Sequence, residues 1–138
     1  MESDTPRDSR PLLVTLAALI LMVAGVVIII GAMLSAILGV AVIGARLGPG
    51  GDITGGALAA VAIAYAVFGT LHVVVGMRLL AGAGWSWISG LALAGLGIAS
   101  ASMSFGQEPL LGAIGVLLNS FLMFALVAQR RWFRPIRA

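Results

Sequence analysis

Between Leu12 and Ala45 the chain runs for 34 residues without a charged side chain. Three further apolar stretches follow, over residues 55–80, 85–105 and 109–129, and the only charge within them is Arg78 near the end of the first. A bilayer's hydrocarbon core is about 30 Å thick, which about 20 apolar residues cross as a helix. Each stretch is therefore long enough to span. With 61% hydrophobic and 9% charged residues, against about a quarter charged in soluble domains, the chain has too little polar surface to cover a core in water. The expected fold is all-α, an integral membrane four-helix bundle. Its transmembrane domain covers residues 12–130, with spans near 12–34 (extended to 45), 55–80, 85–105 and 109–129. A flexible tail over 1–11 precedes it and a basic, aromatic tail over 131–138 follows.

The first stretch raises two questions. Arg7 and Arg10 ahead of an apolar run also describe a secretory signal peptide, but such a peptide's apolar region holds only about 7–15 residues, so the run reads as an uncleaved first span. As one helix it is about 50 Å long, roughly 20 Å more than the core needs. The excess implies either an extension outward or a kink at Ser35–Gly39. The segment Leu47–Gly56, LGPGGDITGG, then reads as a loop, with Asp52 or Thr54 capping the second span. The AGAGWSW run at residues 81–87 reads as a tight turn. Glu108–Pro109 suits a helix start, because Pro fits the first turn and a carboxylate complements the positive end of the helix dipole.

Orientation follows from the basic residues, all of them Arg. Arg7, Arg10, Arg78, Arg130, Arg131, Arg134 and Arg137 fall on one side and only Arg46 on the other. Basic flanks stay in the cytoplasm, so both termini are expected there. Trp85, Trp87 and Trp132 fall at the same boundary, where indole favours the interface. With Arg78, Arg130, Arg131 and Arg134 they are the expected interface anchors. The tail RRWFRPIR reads as a segment against an anionic leaflet, its aromatics inserted and its guanidinia on phosphates. An Arg-only basic set amid abundant Gly and Ala suits a GC-rich bacterial genome, hence a multi-pass protein of the cytoplasmic (inner) membrane.

Several chemistries are disfavoured. There is no cysteine, which removes disulfides, thiolate metal sites and cysteine nucleophiles. No metal-ligating or catalytic cluster is apparent, and a net charge of +3 spread over membrane flanks gives no nucleic-acid face. No Asp, Glu or Lys lies within a span, whereas proton or sodium coupling usually needs an intramembrane carboxylate.

Small residues mark expected helix contacts: Gly31, Ser35 and Gly39 in the first span, Ala62, Gly69 and Gly76 in the second, Ser86, Gly90 and Ala94 in the third. In lipid such positions let backbones approach. His72, the only histidine, shares a helix face with Tyr65, Phe68, Gly69 and Gly76. The glycines could leave room over the imidazole for a flat ligand, a haem or chlorophyll-type pigment. The structural alternative is an imidazole bonded to a neighbouring helix or a lipid headgroup. Asn119 and Ser120 fall mid-span and are expected to face inward, with Asn119 bonding Tyr65 at matching depth.

The Gly-rich first span, the junction VVVGMRLLAGAGWSW and the ending LLNSFLMFALVAQRRWF together resemble uncharacterised small four-span membrane proteins of high-GC bacteria. That resemblance implies the four-helix topology and no activity. The functional expectation is a noncatalytic structural or accessory membrane protein, possessing membrane lipids and either a larger membrane complex or its own copies as partners. The alternatives are a small oligomeric transporter or channel for a neutral solute, lined by Tyr65, His72 and Asn119, and a haem- or pigment-binding subunit using His72.

Overall fold

A computed structural model describes residues 11–45 and 51–133, with side chains over 11–40 and 56–133. The described residues form four α-helices and one short 3₁₀ turn. The helices are α1 (Leu12–Ala45), α2 (Gly51–Leu80), α3 (Gly84–Ser104) and α4 (Pro109–Ala128), and the 3₁₀ turn is Arg130–Phe133. All four helices are long and apolar enough to cross a membrane, and a helix does so by satisfying its backbone N–H and C=O groups internally. The chain is thus a multi-pass membrane protein.

Local chemistry sets most helix ends. Pro11 precedes α1, and its carbonyl accepts the N–H groups of Val14 and Thr15 at 3.0 and 3.2 Å. At α4, Pro109 occupies the first turn, where its missing N–H costs nothing. The Glu108 carboxylate makes no capping bond there; its carbonyl accepts Gly112 N–H at 2.9 Å. The end of α2 is a Schellman motif, with Gly82 at φ 71°. Gly82 N–H bonds Leu79 O at 3.0 Å and Ala83 N–H bonds Arg78 O at 3.1 Å. Glycine takes that left-handed backbone at no steric cost.

α1 continues unbroken through Ser35–Gly39 for 34 residues, the extension and not the kink of the two alternatives. The expected caps of the second span change. α2 begins at Gly51, so Asp52 and Thr54 lie inside its first turn and do not precede it as caps. A start at Gly55 would leave four unpaired N–H groups close to the hydrocarbon, and an earlier start moves them outward. Arg46 and the remainder of the expected loop, residues 47–50, lie outside the described residues, as do 1–10 and 134–138.

The chain divides into two compact units, residues 1–20 with 75–138, and residues 21–74. In the first, α3 and α4 meet through small residues. Ser86, Gly90, Leu93 and Ala94 are buried on α3, and Gly112, Leu122, Ala125 and Leu126 on α4. A Cβ added at Gly115 would lie 2.8 Å from Ala101 Cβ, one at Gly112 would lie 3.0 Å from Ala101 O, and one at Gly97 would strike the Asn119 amide. Contacts that rise along α3 thus fall along α4, an antiparallel pairing. In the second unit α1 and α2 touch at Gly25 and Gly69. A Cβ on Gly25 would lie 2.6 Å from Gly69 O, and one on Gly69 would lie 2.8 Å from Gly25 O. The hydrogen each glycine carries in place of a side chain therefore points at the other's carbonyl, the close backbone approach on which helix association in lipid relies.

Candidate functional site

His72 lies beside the Gly25–Gly69 contact and is 7% exposed. Its Cβ is 3.0 Å from where a Gly25 side chain would begin. The imidazole Nδ1 lies 2.9 Å from Phe68 O, one turn back in the same helix. The Phe68 ring meets the imidazole edge-on, with centroids 4.6 Å apart and planes at 70°. Histidine thus bonds to its own helix, where a neighbouring helix or headgroup was expected. The room expected at Gly69 for a flat ligand is also taken, because a Cβ there would lie 2.7 Å from Ile29 Cγ1 of α1. Gly69 accommodates a helix and not a macrocycle.

Towards the other end of the same unit, α1 and α2 part to leave an open cavity of about 360 Å³, lined by Ala32, Met33, Ala36, Gly39, Ala62 and Ala66 among others. Every lining residue is apolar, and the small ones make the space. Tyr65, one residue from this wall, is 49% exposed, and its hydroxyl has no hydrogen-bond partner among the described residues.

Four further polar side chains, Asn119, Thr70, Ser102 and Ser104, share the habit of His72. Asn119 Nδ2 donates to Gly115 O at 2.8 Å while its amide fills the notch at Gly97. The Nδ2 bond stays inside α4, because a short amide reaches its own i−4 carbonyl without help from another helix. Thr70 donates to Ala66 O at 2.7 Å, Ser102 to Ile98 O at 2.8 Å and Ser104 to Ser100 O at 3.2 Å. Ser120, expected to face inward with Asn119, is exposed. Consecutive helical residues point about 100° apart, so one faces in and the other out. Tyr65 and His72 share a face of α2, whereas Asn119 belongs to the other compact unit.

Of the expected contact residues, Gly39, Gly69, Gly76 and Gly90 are buried and Ser35 is half-buried, but Gly31 has nothing within 4 Å of an added Cβ. Gly25, Gly97, Gly112 and Gly115, which make the closest contacts, were missed. The Gly112–Gly115 spacing, one helical turn, was the available signal.

The aromatic anchors separate into two groups. Trp85 is 51% exposed, in keeping with an interface position. Trp87 turns into the protein, where its Nε1 donates to Leu126 O at 2.8 Å and satisfies one of the carbonyls left over at the end of α4. Trp132 and Phe133, expected to insert into lipid, are also packed on protein. Trp132 lies over Gly82, its Nε1 3.6 Å from an added Cβ, and Phe133 O lies 3.2 Å from one at Gly84. Burying Phe133 to 7% exposure removes apolar surface from water, which the headgroup region still contains. Arg78, Arg130 and Arg131 remain exposed, and Arg134 lies outside the described residues. No protein-family model matches the chain, and neither does any curated protein or solved structure.

Proposed function

We propose that this chain is a noncatalytic structural or accessory protein of the bacterial cytoplasmic membrane, both termini on the cytoplasmic side, that packs beside a larger membrane complex. One observation carries the reading: His72, Thr70, Ser102, Ser104 and Asn119 all bond to carbonyls one turn back in their own helices. A solute path needs polar groups turned towards the solute, and catalysis needs them turned towards a substrate. Here these five are spent on the backbone, leaving apolar faces and small-residue grooves, the surfaces by which membrane helices associate. Purification in mild detergent, with and without prior crosslinking in cells, tests it. Recovery with a second membrane protein is the expected result. A chain that runs alone after crosslinking defeats the accessory reading.

A further inference from the structure

We propose that the α2–α3 turn and the Arg130–Phe133 segment docked on it form a binding site for the phosphate of an anionic phospholipid, with Arg78, Arg130 and Arg131 as its cationic ligands. The inference needs only the membrane setting and stands apart from the accessory reading. Trp132 lies over Gly82 and the Phe133 carbonyl against Gly84, so the segment is held by protein. Arg130 and Arg131 immediately precede this contact. Arg78 stands in the helical turn that Gly82 closes, its carbonyl bonded to Ala83 N–H at 3.1 Å. Three exposed guanidinium side chains are therefore rooted around one turn. No carboxylate among the described residues lies at this end: Asp52 begins α2 and Glu108 begins α4, whereas Arg78 closes α2 and Arg130 follows α4.

A second observation points to the same kind of ligand. The Trp132 indole N–H is buried without a hydrogen-bond partner, and a buried donor left unpaired is costly enough that native structures seldom keep one. Among the described residues, no side-chain acceptor faces the three guanidinium groups or the indole N–H. A phosphate diester supplies charge and several acceptor oxygens, and guanidinium groups bind it through paired N–H bonds. Because the site sits at the end of a membrane span, that phosphate belongs to a lipid headgroup. A water bridging the phosphate and the buried indole N–H supplies that donor's acceptor.

Native mass spectrometry of the full chain, released from micelles doped with equal phosphatidylglycerol and phosphatidylcholine, tests the proposal. Phosphatidylglycerol adducts should exceed phosphatidylcholine adducts by about tenfold. R78Q/R130Q/R131Q should equalise them, while the matching triple Lys variant, which keeps the charge, retains an excess and so separates lost binding from lost folding. W132F keeps the ring and removes the N–H. It should leave stability without lipid unchanged or higher, and lower the excess. Equal adducts of the two lipids, or an excess that survives the triple Gln substitution, would overturn the proposal. So would displacement of the lipid by equimolar inorganic phosphate, which would mark a site for a free anion. An excess seen only after E2Q/D4N/D8N would show that the acidic tail is the ligand instead. An unchanged excess in W132F would remove the indole from the site.

Discussion

At the scale of single residues, glycine decides where the helices touch. Gly25 and Gly69 present their backbones to each other with no room for a methyl group, so Gly25→Ala and Gly69→Ala should each destabilise the fold by about 1–3 kcal/mol through overpacking. Gly31→Ala, placed in open space, should change stability by less than about 0.5 kcal/mol. Reversible unfolding in mixed micelles, followed by circular dichroism, measures all three. Gly97 and Asn119 form a coupled pair. Gly97→Ala crowds the amide and Asn119→Ala leaves a void, so the double substitution should be milder than the sum of the two by about 1 kcal/mol. The sequence did not reveal which glycines matter. It offers 19 of them, enough to draw several plausible small-residue stripes on every helix. Only the rotation of one helix against another picks out Gly25 and leaves Gly31 idle.

Helices and turns were far more legible than contacts. The end of α2 at Leu80, the start of α4 at Pro109 and the Glu108–Pro109 entry all follow from where apolar runs meet Gly, Pro and charge. The start of α2 did not, because a Gly-rich stretch permits both loop and helix, and the need to carry unpaired N–H groups away from lipid decided between them. His72 stands out in the sequence as the single histidine, but its bond back to Phe68 depends on a rotamer that spacing does not show. The docking of Trp132 and Phe133 was equally hidden, since aromatics beside Arg suit a lipid surface and a protein surface alike. Two substitutions probe these elements. Trp87→Phe removes the indole bond to Leu126 O and should cost about 1 kcal/mol. Gly82→Ala forces a methyl-bearing residue into left-handed backbone at φ 71° and should cost about 1 kcal/mol or slightly more. Thermal unfolding in detergent reads both losses, and an unchanged midpoint for Gly82→Ala would mean that the turn relaxes.

For the whole molecule, the absence of cysteine makes the expected orientation simple to check. Ser3→Cys and Gly106→Cys, each made singly, should react oppositely with a membrane-impermeant maleimide on intact cells. Gly106, between α3 and α4, should label at once, and Ser3 only after permeabilisation. The reverse pattern would invert the topology. The own-helix hydrogen bonds described above also bear on how the chain enters the membrane. Because Thr70, His72, Ser102, Ser104 and Asn119 find acceptors one turn back, their helices can leave the insertion machinery one at a time with these groups already satisfied. The donors of all five are thus paired before a partner helix arrives, which leaves the glycine notches to set helix register.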